Sequence, residues 1–357
     1  MTGNIHIAVV SPYRHAGAKA GARMRAEKLC EALAKLPEVK LTTLAPFTLA
    51  QHANHIDFDL EGSMPQRLAK LAALNKILHS ISTDVVISEA PLDPLSFGRF
   101  KVVHLIHDTK FAGEHGRRWS NLSRHLHGIS VRRADAVMTV SHAEAANIRA
   151  LYGRHAPFIV SYNGLSSAWT DTPALGGDWE YDILYVSNFA AHKGHRELIE
   201  ATAGLTYRIA LVGSDLGSET TIKQLIGKSS CRFDIAANLD EASLIRLYDR
   251  SAIKVFPSRL EGFGMPFLEA RSRGLPVVAN DLPVFQELRG LVGGDLVDCA
   301  DHEAFRNAIA KALSQPARIY PEPAILSGFK WEQIARNLMA DISALFWPDW
   351  QSPPRVA

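Results

Sequence analysis

Short apolar runs recur along the whole chain, and most are nearly unbroken: "IHIAVV", "DVVISE", "KVVHLI", "AVMTVS", "YDILYVS", "YRIALVGS", "AIKVFPS" and "PVVAN". A strand with one wet face alternates apolar and polar residues. Continuous Val/Ile runs need cover on both faces, which is the signature of parallel strands sandwiched between helices. The intervening text has helical period, as in "RMRAEKLCEALAKL", "MPQRLAKLAALNKILHSI", "HRELIEAT", "EASLIRLYDR" and "HEAFRNAIAKALS". This strand–helix alternation predicts a doubly wound α/β fold.

At 357 residues the chain exceeds the roughly 250–300 at which one core stops growing. The alternation breaks once, at "LSSAWTDTPALGGDWEYD", where Ser, Thr, Pro, Gly and Asp crowd together. The expected organisation is therefore a Rossmann-like domain over 1–167, a linker over 168–181 and a second Rossmann-like domain over 182–330. A closing helix and tail, beginning "WEQIARNLMADISALFW", occupy 331–357.

Hydrophobic residues at 47% and charged residues at 21% exclude a disordered or fibrous chain. The net charge of +2 hides an asymmetry. Up to Leu165 there are 20 Lys/Arg against 13 Asp/Glu, and beyond it 19 against 24, so the halves carry +7 and −5. Arg117, Arg118, Arg124, Arg132 and Arg133 concentrate the positive charge, as expected of a surface facing a bilayer or a phosphorylated acceptor. Cys30, Cys231 and Cys299 are too scattered for a disulfide framework. The N-terminus lacks the pattern of a signal peptide, and no apolar run approaches the ~20 residues of a membrane span. The expectation is a cytoplasmic protein, at most peripheral on the inner face of the cytoplasmic membrane. His104, His125, His127 and His142 have no metal-ligand spacing and read as surface or core-edge residues.

The most informative stretch is "FPSRLEGFGMPFLEARSRGLPVVAND", Phe256 to Asp281. A doubly wound sheet places its site at the carboxyl ends of strands, where "AIKVFPS" delivers Ser258 to Gly264. Gly262 and Gly264 allow a sharp turn and close approach to a ligand, with Phe263 between them. Met265 and Pro266 open a helix whose unpaired N–H groups suit a diphosphate. Glu269 falls about one turn inside that helix, placed to accept hydrogen bonds from ribose hydroxyls. Glu261, at the strand end, would grip hydroxyls of a sugar at the other end of the ligand.

This segment resembles the signature of the family 4 glycosyltransferases of GT-B fold, two glutamates with seven residues between. "YVSNFAAHKGHRELIEA" resembles the family's donor-phosphate segment, "VVHLIHD" its acceptor-side strand, "ADAVMTVSHAEAANI" and "SYNG" the stretch before the domain crossover, and "FKWEQIARNLMADI" its closing helix. The resemblance implies two Rossmann-like domains facing a central cleft, with the last helix returning to the first domain. It implies Lys193 as the cation on the donor diphosphate, and His107 and Asp108 beside the donor sugar or acceptor. Gly17, in the loop "YRHAGAKAGARMR", would let the first domain close on the donor. One position departs from the family: Asn188 stands where an arginine is usual. Arg14, Arg23 and Arg259 are the candidates to supply the missing charge. "DFD" at Asp57 to Asp59 mimics the metal triplet of the other glycosyltransferase fold, and its context makes it a coincidence.

The activity so implied is transfer of a hexose, mannose preferred, with retention of configuration. The donor is a nucleotide diphosphate sugar, and the acceptor a glycan or lipid-diphosphate-linked glycan in cell-surface polysaccharide synthesis. Neither cofactor nor metal is expected, and no nucleic acid partner. The alternatives are a non-catalytic nucleotide-sugar or glycan-binding subunit, which Asn188 suggests, and a nucleotide-sugar epimerase sharing the architecture.

Overall fold

The computed structural model of the chain describes residues 4–12, 21–89, 100–109, 117–153, 156–172, 174, 179–314 and 316–349, apart from the side chains of 64 and 117–123. The chain divides into two units, Met1–Gly164 together with Gly328–Ala357, and Leu165–Ser327.

In the first unit the order is β1 (Ile5–Val10), α1 (Gly21–Leu33), β2 (Val39–Ala45), β3 (Asn54–Asp57), α2 (Met64–Ser80), β4 (Val85–Ser88), β5 (Lys101–Ile106), α3 (Arg117–Arg133), β6 (Ala136–Thr139), α4 (His142–Tyr152) and β7 (Phe158–Val160). The strands form one parallel sheet in the order β3-β2-β1-β4-β5-β6-β7. β1 shows why its text is unbroken. Ile5, Ile7 and Val9 enter the core beneath α1, while Ala8 and Val10 enter the core beneath α2. Both faces of the strand are dry.

The second unit runs α5 (Ser167–Asp171), β8 (Tyr181–Val186), α6 (His195–Ala201), β9 (Arg208–Val212), α7 (Glu219–Ile226), β10 (Arg232–Ala236), α8 (Glu241–Asp249), β11 (Ser251–Phe256), α9 (Met265–Ser272), β12 (Val277–Asn280), α10 (Pro283–Val292), β13 (Asp295–Val297), α11 (His302–Ser314) and α12 (Pro323–Gly328). Its parallel sheet is ordered β10-β9-β8-β11-β12-β13. A buried ion pair organises it. Arg273 donates from Nε and Nη2 to the two carboxylate oxygens of Asp249 at 2.8 and 2.7 Å, and from Nη1 to the Trp169 carbonyl at 3.4 Å. Trp169, inside the stretch read as linker, is buried with its ring against Tyr248 at 5.1 Å.

The closing helix α13 (Trp331–Phe346) belongs to the first unit. Trp331, Ile334, Ala335, Leu338, Met339 and Ile342 fall at helical spacing and are buried with α1 and the β1 face. Each large apolar side chain so buried contributes about 1.5–3 kcal/mol. "SYNG" has a structural reason in the same unit. Arg25, fully buried in α1, donates to the Tyr162 carbonyl at 2.9 Å, Asn163 Oδ1 at 2.6 Å and Ser161 Oγ at 3.0 Å. Gly164 must be small, because a Cβ there would lie 2.7 Å from the Trp331 ring.

Candidate active site

Each sheet reverses the direction of its strand order once, between β1 and β4 and between β8 and β11. Loops leaving such neighbouring strands diverge to opposite faces and leave a crevice at the carboxyl ends. In the second unit these two loops carry the residues singled out by sequence.

From β8 the chain enters a single turn of 3₁₀ helix, Ala191–Lys193, and reverses at Gly194 with φ +75°. A Cβ at Gly194 would stand 2.1 Å from the Pro257 carbonyl, so only glycine lets this turn lie against the exit of β11. Its carbonyls are all held. The Tyr185 hydroxyl donates to that of Lys193, the Arg259 N–H to that of His192 at 2.8 Å, and Arg259 Nη2 to that of Ala191 at 2.7 Å. Lys193 Nζ thereby donates to Glu261 Oε1 at 2.6 Å, with the two side chains only 13% and 11% exposed. Charges this well shielded interact more strongly than a surface pair.

Beyond Glu261, Gly262 is half-buried and Phe263 buried. Gly264, φ +92°, then starts α9; a Cβ there would lie 2.6 Å from the Phe285 ring. Met265 and Pro266 occupy the first turn half-buried. Glu269 is buried and accepts a hydrogen bond from the Tyr248 hydroxyl at 2.8 Å. Burial pushes its carboxyl up to about 7, against the downward pull of Tyr248 and Lys254. Asn188 is exposed at the end of β8, its Oδ1 accepting the Ser214 N–H at 3.0 Å. Of the cations weighed to replace an arginine there, Arg259 is beside the Lys193 turn and pairs with Glu197 at 3.2 Å. Arg23 is held in the first unit by Glu27 at 2.8 Å and stacks on Phe47. Arg14 and Gly17 lie outside the described residues.

The switch point of the first unit carries a second constellation. Ser11 follows β1, Glu89 follows β4 and His107 follows β5. Ser11 Oγ donates to Glu89 Oε2 at 2.8 Å, and His107 Nε2–H donates to Glu89 Oε1 at 2.9 Å. Glu89 is buried, so this carboxylate fixes one edge of the imidazole and the tautomer that faces it. Asp108 follows, half-buried.

Sequence reasoning did not single out Glu89, although its place at the end of "DVVISE" marks a strand terminus. Tyr248 and Lys254 gave no local signal. The reading of His104 needs correction: it is fully buried in β5, its Nε2 3.3 Å from Nδ1 of His127, whose basicity burial drives down to about 3. Asp59 forms an ion pair with Lys70. Gly227-Lys228-Ser229 closes α7 instead of following a strand into a helix, so it has no phosphate-loop context. Among the described residues no three His, Cys, Asp or Glu gather as metal ligands, and no helix is long and apolar enough to cross a membrane.

Comparison with known proteins separates along the same two units. Residues 20–169 match the family model Glycosyltransferase Family 4, and residues 176–325 match Glycosyl transferases group 1. The chain is 28% identical to a glycogen synthase of Mycobacterium tuberculosis over 276 residues, covering 71% of this chain and 65% of the relative. It is 26% identical over 208 residues to the O-antigen chain mannosyltransferase RfbU of Salmonella typhimurium, covering 55% and 56% respectively. It thus spans about two thirds or less of these curated relatives. Among solved structures, Anabaena HepE in complex with UDP-glucose superposes with a TM-score of 0.74 at 19% identity, covering 96% of this chain and 100% of that one.

Proposed function

We propose, for a chain that belongs to the family 4 glycosyltransferases and has the GT-B fold, that it transfers a hexose from a nucleotide diphosphate sugar with retention of configuration. The observation that carries this reading is the shielded Lys193–Glu261 pair, set at the β8/β11 switch point beside the N-terminus of α9. Lys193 and the first N–H groups of α9 would receive the diphosphate as the anomeric bond breaks. Glu261, partnered by Lys193, would hold sugar hydroxyls and offset the positive charge that grows at the anomeric carbon. Glu269 would accept from the ribose hydroxyls. The acceptor oxygen attacks from the face the diphosphate leaves and passes its proton to that departing phosphate, so no protein nucleophile takes part. Lys193 and the helix dipole would make metal unnecessary, and Arg259, close to the Lys193 turn, would supply the charge that Asn188 does not.

On the first unit, the Ser11–Glu89–His107 array would orient the acceptor hydroxyl or the donor sugar, with Asp108 assisting. The likeness to an O-antigen chain mannosyltransferase supports mannose as the hexose and a cell-surface polysaccharide or its lipid-diphosphate-linked precursor as acceptor. Exposed Arg124, Arg132 and Arg133 on α3 would rest against anionic headgroups, which liposome co-sedimentation at varied anionic lipid content tests. A non-catalytic binding subunit is the second reading, favoured by Asn188 alone.

Isothermal titration with GDP-mannose, UDP-glucose and related donors, followed by transfer assays, tests the proposal. Lys193→Ala and Glu261→Gln should each lower turnover by about a hundred- to a thousandfold. Transfer that survives both substitutions unchanged would refute the roles assigned.

A further inference from the structure

Lys254 is an anomaly in the second unit. It stands in the middle of β11 between Ile253 and Val255, has no solvent exposure and belongs to a strand buried along its whole length. Apolar residues suit both its neighbours and its layer. An ammonium there must overcome the loss of its hydration, so an apolar side chain would fill the position at lower cost.

What surrounds Nζ is specific. It lies over three aromatic rings, 5.2 Å from the centre of Tyr185, 5.1 Å from Phe256 and 5.9 Å from Tyr248. It also reaches the Val255 carbonyl at 3.4 Å. The two tyrosines of this box point in different directions. Tyr248 donates to the Glu269 carboxylate at 2.8 Å. Tyr185 donates to the carbonyl of Lys193, whose ammonium meets Glu261. One buried cation thus stands behind both halves of the two-glutamate motif, touching neither directly and fixing the ring that aligns each.

We propose that Lys254 is a positioning residue of the donor site: its ammonium holds the Tyr185–Tyr248 box in place behind the two glutamates and is their interior countercharge. The inference rests on the donor-site reading above. The surroundings agree with it. Burial draws the Lys254 ammonium down to about 7, opposed by attraction to Glu269 and Glu261. Facing this cluster from the other elements are His195 of α6, whose basicity burial and the two lysines depress, and Glu241 of α8, which raises Glu269 further. The charges of Glu269 and Lys254 attract each other in the interior, so a change in one moves the other.

The test uses the full chain and GDP and UDP as probes, titrated calorimetrically from pH 6 to 9. Ionised Glu269 is the form that accepts ribose hydroxyls, so wild-type affinity should rise through about pH 7. Lys254→Met removes the countercharge and should move that rise to higher pH. A displacement of about one unit lowers the ionised fraction at pH 7 roughly fivefold, with affinity recovered by pH 9. Titration of the nucleotide's own phosphate is common to both proteins and cancels in the ratio. Tyr248→Phe keeps the ring of the box and deletes only the hydroxyl on Glu269, and it should shift the rise in the same direction. Equal affinity loss at every pH, or an unchanged pH dependence in either variant, overturns the role of Lys254. Glu269→Gln separates the two levels: if it weakens nucleotide binding while Lys254→Met follows the wild-type pH dependence, only the positioning role fails. If it leaves binding untouched at every pH, the donor-site reading falls and this inference with it.

Discussion

His107 owes its geometry to a neighbour that its own strand cannot supply. Glu89, from the next strand in the sheet, holds Nε2 at 2.9 Å and is itself held by Ser11. A neutral amide in its place can still hydrogen-bond but cannot select the tautomer of the imidazole as firmly. Glu89→Gln should therefore lower turnover about tenfold or more while donor affinity changes little, since Glu89 lies outside the unit proposed to bind the nucleotide. Equal losses in affinity and turnover, measured by calorimetry and steady-state transfer, would count against that division. The two glutamates, Lys193 and His107 were legible in the sequence because each is tied to a strand end or a glycine turn nearby. Tyr248 was not, since its hydroxyl meets Glu269 across 21 residues and nothing local marks it. Lys254 was hidden for the opposite reason. A strand written "AIKVFPS" has one charged letter, which one-dimensional reading takes as an exposed position, while a central strand covered on both faces has none.

At the scale of the element, the turn after β8 shows how backbone conformation positions chemistry. Gly194 combines a left-handed φ with a contact that leaves no room for a Cβ against Pro257. Gly194→Ala meets both obstacles: the αL conformation costs about 1–2 kcal/mol, and the Lys193 turn must then withdraw from β11. Displacement of a catalytic cation by about 1 Å can cost on the order of a hundredfold in rate. The expected outcome is a protein that melts several degrees lower and turns over about a hundredfold slower. Full activity despite a lowered melting temperature would mean that Lys193 does not depend on this turn. The long helices and continuous strands were readable from periodicity. The elements missed were β3, α4, α5, α10, β13 and α12, most of them short pieces whose existence depends on neighbours. β13, three residues long, is a strand only because β12 pairs with it. α10 follows a strand and a leading proline, and its buried Val284, Phe285, Leu288 and Val292 were concealed in text that also read as a loop.

At the scale of the whole molecule, each unit contains an imidazole held neutral by its surroundings, and acid should act on both. His195, nearly unexposed between Tyr185 and Phe189, has its basicity lowered to about 4 by burial, with Lys193 and Lys254 adding repulsion. His127 is lowered to about 3 by burial and by His104. Both folded values lie below the ordinary 6.5 of an unfolded chain. The unfolded state therefore binds protons first, and the stability these groups contribute is complete above about pH 6.5. It declines as pH falls toward 4 in the second unit and toward 3 in the first. At pH 5 an unfolded histidine is almost fully charged and neither of these is, so each unit loses about 2 kcal/mol relative to pH 7. Urea unfolding at the two pH values should show that loss. His195→Phe should flatten the response of the second unit, because a phenyl ring keeps the stacking between Tyr185 and Phe189 and has no proton to gain. Unfolding that is equally steep with pH in His195→Phe would place the acid sensitivity elsewhere and remove His195 from the account.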